Sequence, residues 1–431
     1  MKITGAGWTE FRRTRFSMPI VAGTVLATIL TGCSSTTGAN TTDKASHGVP
    51  TDLITASSVD SKQLAATAKK ALLADVPVSE LPPVVADAFA VASKPLTDAQ
   101  LQLLKTCLRQ RSCDTGQGTL TVAINADFTN NPVWSTRRAE ATAQALAYPQ
   151  VKRIIFTSSS SGNIAEVLAN LRSLIAQKVD IIVEDPVFGA AILPAAREAK
   201  AAGITFVTAN SPLPPEAAQM VSVQLPYDLC GIGTAAAKKI VAGAGTTSKS
   251  YAFYTGVPGN ANAAEWQPCA EKELKAAGWN QAVSGFTQWT GQGETQAANE
   301  LLASGKDVAA MFYDYSADAF LRPYINAGKT PPASFVDTAN YSAFDVANDA
   351  KKAGLNSANY VSNGHVWYAR MGVTAGIEIK LGVNVPNKVL APVPVVALAD
   401  IRDQNVSGMP SNVPLPTLLS PELAKLALSA G

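Results

Sequence analysis

From Thr119 onward, short apolar runs alternate with longer amphipathic stretches, and this alternation restricts the fold more than any other feature of the chain. Runs of strand length occur at 119–126, 151–157, 179–184 and 204–209. A second series follows at 250–255, 282–287, 308–313, 333–337 and 358–362. The first series is separated and followed by helix-like segments at 132–147, 162–177, 189–202 and 230–242. The second is interleaved with 262–277, 292–304, 317–327, 343–353 and 367–381. Strands with continuous apolar runs need cover on both faces, so the pattern implies parallel sheets between helical layers. Two successive series imply an α/β protein of two doubly wound lobes, with Pro212, Pro214 and Pro215 near the change of series. In such sheets ligands bind beyond the carboxyl ends of the strands. Functional residues are expected there.

The N-terminal quarter has a different character. Lys2, Arg12, Arg13 and Arg15 precede an apolar stretch from about Met18 to Leu30, which ends in Leu30-Thr31-Gly32-Cys33. The stretch is short for a hydrocarbon core of about 30 Å, which takes roughly 20 apolar residues. It has the dimensions of a cleaved export signal, and its end looks like a bacterial lipobox. Residues 1–32 are expected to be a lipoprotein signal peptide, with Cys33 accepting a diacylglycerol group. Two acyl chains hold a protein at a membrane where one only visits. The mature chain is thus expected to be extracytoplasmic and lipid-anchored to the bacterial cell membrane. Residues 33–50 are small and polar and are expected to form a disordered tether. Residues 51–116 read as a helical extension, with helical spacing at 61–74 and 98–110 broken by Pro77, Pro82, Pro83 and Pro95.

Composition narrows the function by exclusion. The formal charge of +2 belongs to the N-terminus: without residues 1–32 the balance is 31 basic to 32 acidic residues. A neutral balance offers no electrostatic footprint for nucleic acid. The chain carries neither a phosphate-cradling Gly-x-x-x-x-Gly-Lys-Ser/Thr nor a Gly-x-Gly-x-x-Gly after a strand. With His47 in the tether, His365 is alone in the body, which disfavours a histidine zinc site. No Gly-x-Ser-x-Gly elbow supplies a nucleophile. No metal, no cofactor and no enzymatic activity are expected. Four cysteines besides Cys33 allow three connectivities; pairing Cys107 with Cys113 and Cys230 with Cys269 is the simplest for an exported chain.

Motifs at the strand ends carry a resemblance. The stretch from Asn125 to Trp134 reads Asn-Ala-Asp-Phe-Thr-Asn-Asn-Pro-Val-Trp. It resembles the Asn-Asn-Pro-aromatic motif after the first strand of the type I periplasmic binding proteins, the ribose-binding-protein-like group. Segments 204–212, 254–265, 289–302, 308–318 and 361–372 are similar to that family's later strands and loops in order and spacing. The likeness covers roughly 119–400. It implies two discontinuous lobes joined by three hinge crossings. Lobe one would take 117–224 plus 366–395, and lobe two 225–365 plus 396–412, with 413–431 as a C-terminal tail. Hinge motion would fall near Gln224–Pro226 and Asn363–Val366.

The family's proteins bind small solutes, mostly sugars, between the lobes and deliver them to an ABC importer. The resemblance therefore implies a monomeric receptor with a small-molecule solute and an ABC permease as partners. Expected ligand contacts are Phe128, Asn131 and Trp134 from the first loop, then Asn210, Asn262, Trp266, Trp289, Tyr315, Asp337, His365 and Trp367. Asn131 has a second reading, as cap of the helix that Pro132 opens. Departures from the family lie at Asn210 and Ser211, where sugar binders carry Asp-Arg, and at 262–266, where a family Arg is replaced by Asn262, Glu265 and Trp266. Fewer fixed charges and more aromatic rings point to a larger or less polar solute, such as a glycoside, a cyclic alcohol or an aromatic compound. Sequence does not separate transport from presentation of the solute to a membrane signalling protein, and an exported enzyme is the third class weighed.

Overall fold

The computed structural model describes residues 53–129, 131–159, 162–243 and 248–430. The expected signal peptide (1–32), the expected tether (33–50) with His47, and Cys33 lie outside the described residues.

Three helices open the described chain: α1 (Ser61–Leu72), α2 (Pro83–Ser93) and α3 (Asp98–Leu108). Their limits follow local chemistry. Asp60 caps α1, Leu73 stops it in a left-handed conformation at φ 57°, and Pro83 opens α2. A Thr97–Gln100 capping box starts α3. The helical reading of this region is matched up to residue 108. Beyond it, β1 (Ser112–Asp114) is a strand, and the Cys107–Cys113 disulfide ties α3 to it.

The first sheet contains β1, β2 (Leu120–Ala126), β3 (Val151–Ser158), β4 (Ile181–Glu184), β5 (Thr205–Asn210) and β6 (Val223–Pro226). Its order is β1-β3-β2-β4-β5-β6, parallel except for β1. Helices α4 (Pro132–Leu146), α5 (Ile164–Ala176) and α6 (Leu193–Ala201) connect its strands. The second sheet holds β7 (Ser250–Thr255), β8 (Asn280–Phe286), β9 (Ala310–Tyr315), β10 (Ala333–Thr338), β11 (Asn359–Ser362) and β12 (Val395–Ala397). Its order is β12-β11-β10-β9-β7-β8, with only β12 antiparallel. Around it lie α7 (Leu229–Gly243), α8 (Ala261–Ala276), α9 (Gly291–Ala303), α10 (Ala317–Asn326) and α11 (Ser342–Lys352). The Cys230–Cys269 disulfide joins α7 to α8.

These are two α/β lobes. Strands β5 and β10 are buried along their whole length, as helical cover on both faces requires. Strand β8, at the sheet edge, instead exposes Asn280, Gln281 and Ser284. In each sheet the order reverses next to the first parallel strand, between β2 and β4 and between β7 and β9. Crevices open at such switch points.

The chain passes between the sheets at β6 to α7 and again from β11 to α12 (Tyr368–Lys380), which packs on β4, β5 and α4. Residues 387–389 then run beside Gln224 of β6 before β12 joins the second sheet. A further crossing follows in what the sequence suggested was a tail. Tyr341 and Leu415 exchange the pairing Tyr341 N to Val413 O (3.0 Å) and Leu415 N to Ala339 O (2.8 Å) on the second lobe. Two residues on, Thr417 Oγ1 and Leu418 N donate to Glu140 of α4 (2.6 and 2.7 Å), and α13 (Pro421–Ala430) packs on α3 and α4. Glu140 also accepts from Arg370 Nε of α12, so one buried carboxylate joins three segments.

Candidate functional site

Loops at the carboxyl ends of both sheets face one another across a cleft with about 510 Å³ of empty space, its mouth included. The mouth is drawn together by two bonds between lobes. Ala261 N donates to Val187 O (3.1 Å), and Asn131 Nδ2 donates to Trp289 O (3.1 Å).

On the first lobe, Asn131 caps α4: its Oδ1 accepts from Val133 N at 3.0 Å, and Pro132 begins the helix. The cap reading is thus realised while the residue still lines the cleft. Trp134, in the first turn of α4, forms part of the wall. Arg137, one turn further, donates to Asp185 Oδ2 at 2.5 Å. Asp185 follows β4 and also accepts from Asn210 Nδ2 (3.1 Å), Ser211 N (3.2 Å) and Ser211 Oγ (2.7 Å). The expected loss of the charged pair at positions 210 and 211 is therefore offset: Arg137 and Asp185 place an arginine–carboxylate pair at the same cleft from other elements. Asn210 ends β5 at φ 85°, a conformation that asparagine tolerates better than most residues.

On the second lobe, Trp289 follows β8 and donates Nε1 to Asp314 Oδ2 at 3.2 Å. Asp314, on β9, also accepts from Thr255 Oγ1. A Cβ on Gly256 would lie 2.0 Å from the Trp289 ring, so this glycine lets the indole rest on the backbone. Gln288, Trp289 and Ser316 all have positive φ (56°, 50° and 54°). With Asn210 they are four of the six non-glycine residues of positive φ among the described residues, and binding sites commonly hold such strain. Tyr315, Asp337 and Thr338 complete this side, with Asn262 and one edge of Trp266 from α8. The body of Trp266 packs inside the lobe, 5.1 Å from Phe253 and 6.3 Å from Phe312.

His365 sits on the second crossing. Its Nδ1 lies 3.3 Å from Arg137 Nη1, a group that can only donate, so Nδ1 accepts and the proton is on Nε2. Nε2 points to Asp337 Oδ2 at 3.8 Å. Burial, and secondarily Arg137, pushes the imidazole pKa down to about 3, which makes it a neutral group. Burial pushes Asp337 up to about 7, against the opposing hydrogen bond from Ser362. Asp314 is raised by burial to about 6, opposed by Thr255 and Trp289. Asp127 and Glu184 are both raised, first by burial, and Glu184 further by the neighbouring Asp127 carboxylate.

Nine of the eleven expected contacts line this one cleft: Asn131, Trp134, Asn210, Asn262, Trp266, Trp289, Tyr315, Asp337 and His365. Phe128 sits behind the wall, stacked between Trp134 and Phe188 at 5.8 and 5.7 Å. Trp367 is elsewhere: its ring packs 4.9 Å from Phe89 of α2, in the helical extension. Val133, Asp185, Val187, Asp314 and Thr338 line the cleft without having been expected to. Asp185 carried a usable signal, since it directly follows a buried strand beside the switch point.

Among the described residues, no group of three or more His, Cys, Asp or Glu could hold a metal, and no helix is long and apolar enough to cross a membrane. A comparison with curated proteins gave no match. Among solved structures, an ABC transporter solute binding protein from Agrobacterium vitis with bound D-fucose is similar at 21% identity and TM-score 0.57, over 66% of this chain and 99% of that one. One from Bacillus halodurans with bound myo-inositol matches at 13% identity and TM-score 0.57, over 67% and 98%. One from Thermobispora bispora matches at 20% identity and TM-score 0.57, over 71% and 94%. At these identities the likeness is one of fold. Residues 122–360 match the family model described as periplasmic binding protein domain, which is more than half of the chain, and the chain belongs to that family, with its type I fold.

Proposed function

We propose that this protein is a lipid-anchored extracytoplasmic receptor that closes its lobes over a small, ring-shaped, sugar-like solute and presents it to an ABC permease. One observation carries the reading. Trp134 from the first lobe and Trp289 from the second line the same cleft as Asn131, Asn210, Asp337 and His365. Sugar and cyclitol rings expose C–H faces that stack on indoles, while their hydroxyls take directional bonds from side chains such as these. The bound D-fucose and myo-inositol of the similar structures support a cyclic polyol as the class of solute.

The mechanism is an equilibrium between open and closed lobes, in which the solute prefers the closed form and shifts the population. Residues 224–226 and 363–366 would absorb the rotation. Solute leaves as it came, with no bond made or broken. Cys33 would hold the monomeric receptor near its permease. A calorimetric screen of cyclic polyols tests the solute class: tight binding, with the compound recovered unchanged, is expected. Failure of all of them alongside binding of an amino acid or a peptide would refute it. Cys33→Ser should release the protein from membranes and leave solute affinity intact; continued membrane retention would remove the anchor from the scheme.

A further inference from the structure

The polar groups of the cleft are unbalanced. Three carboxylates line it, Asp185, Asp314 and Asp337, and among the described lining residues there is no lysine or arginine. The nearby Arg137 is committed to Asp185 and to His365 Nδ1. His365 is itself neutral, as its position against Arg137 requires. Asp314 and Asp337 therefore face the cleft without a cationic partner. Neutral donors reach both: Thr255 and Trp289 donate to Asp314, and Ser362 donates to Asp337 Oδ1 at 2.7 Å.

The unpartnered atoms point the same way. Asn210 Oδ1, on a residue 1% exposed, and Asn262 Oδ1 have no hydrogen-bond partner. Both residues line the cleft, and both open atoms are acceptors; Thr338 Oγ1, also on the lining and also without a partner, can donate or accept. The amide nitrogen of Asn210 is already used on Asp185. Buried acceptors of this kind are costly until a donor arrives.

A neutral hydroxyl brings only one proton, too few for two carboxylates and two open amide oxygens. An ammonium group brings three donors and no acceptor. It also supplies the charge that two carboxylates lack, and the indole face of Trp289 attracts cations, whereas that of Trp134 already carries the Arg137 guanidinium 5.3 Å from its centre. Resting on the reading of the cleft as a cyclic-polyol site, we infer that the natural solute is an aminated sugar or cyclitol whose ammonium group is received by Asp337 and Asn210.

The test is calorimetric titration of the purified full chain with matched pairs: D-glucose and D-glucosamine, D-galactose and D-galactosamine. N-acetyl-D-glucosamine serves as the neutral amide control. The amino member of at least one pair should bind tenfold or more tightly than its neutral partner and than the amide. Asp337→Asn, with folding checked by its melting temperature, should cut that ratio at least tenfold, and Asp314→Asn is the second variant. A neutral sugar binding as tightly as its amino partner overturns the inference and leaves the polyol reading standing. So does a preference that survives both substitutions. Absence of binding by both amino sugars, alongside binding of a neutral cyclic polyol such as myo-inositol, likewise overturns the inference and leaves the polyol reading standing.

Discussion

Replacing Trp289 by alanine separates a wall that binds solute from a ring that holds the fold together. Without solute, the indole makes one hydrogen bond to Asp314 (3.2 Å), meets Phe128 edge-on with ring centres 5.4 Å apart, rests on Gly256 and packs against the cluster of Val133, Tyr315 and Val366. The ring is half-buried and sits at the end of a loop, so its loss should cost about 1–2 kcal/mol of stability. The bond from Asn131 Nδ2 goes to the backbone oxygen of Trp289 and survives the substitution. With solute bound, covering one indole face removes about 50 Å² of apolar surface, worth about 1.2 kcal/mol at about 25 cal/mol per Å². Ring stacking adds about 1 kcal/mol. The total of about 2 kcal/mol corresponds to roughly a 30-fold rise in Kd. Isothermal titration of the best-binding polyol with wild type and Trp289→Ala reads this directly, and thermal melts of the unliganded proteins read the structural part. A change in Kd below threefold in a folded variant would mean that the solute does not rest on this ring. A collapse of the unliganded melting temperature would mean that the ring is chiefly structural.

Other outcomes follow from the geometry. Gly256→Ala should displace the Trp289 indole, since the new Cβ would lie 2.0 Å from it, and should weaken binding and alter tryptophan fluorescence without removing the ring. Unliganded stability should fall between about pH 4 and pH 8. Asp314, Asp337 and Asp127 have folded pKa values raised to about 6, 7 and 7, so the native state binds more protons than the unfolded chain across that window. Denaturant midpoints that rise with pH over this range would contradict it. Glu140→Ala should cost about 3–5 kcal/mol in urea unfolding, because it leaves Arg370 buried without its carboxylate and frees Thr417 and Leu418. Reducing Cys230–Cys269, whose partners are 39 residues apart, should cost about 4 kcal/mol by the loop-entropy model, read from melts with and without reductant.

The strand cores were legible because they are buried on both faces. Ile181–Glu184, Thr205–Asn210 and Ala333–Thr338 lie within or close to the runs read at 179–184, 204–209 and 333–337. Such runs need no partner to be recognised. The strands that escaped, β1, β6 and β12, are three or four residues long and lie at the sheet ends, where pairing rather than hydrophobic pattern defines them. The C-terminal segment escaped for a related reason. Between 405 and 421 four prolines interrupt any period, yet Val413, Leu415 and Leu419 are buried in the core.

The site divides along the same line. Asn131 was legible because a cap is local, an asparagine set directly before Pro132. Trp367 misled because one position decides its fate: it immediately precedes α12, and that helix turns the ring toward Phe89 of α2. The Arg137–Asp185 pair spans 48 residues and joins two elements whose proximity only the sheet order establishes. Its consequence reaches furthest. Spending the nearby guanidinium on Asp185, and fixing His365 as a neutral donor, leaves Asp314 and Asp337 as the charges that a solute meets. The charged pair lost at positions 210 and 211 is restored by Arg137 and Asp185, which neutralise one another, and the charges left over on the cleft lining are carboxylates. Polarity is retained but given one sign, and a cleft of one sign selects by charge as well as by shape.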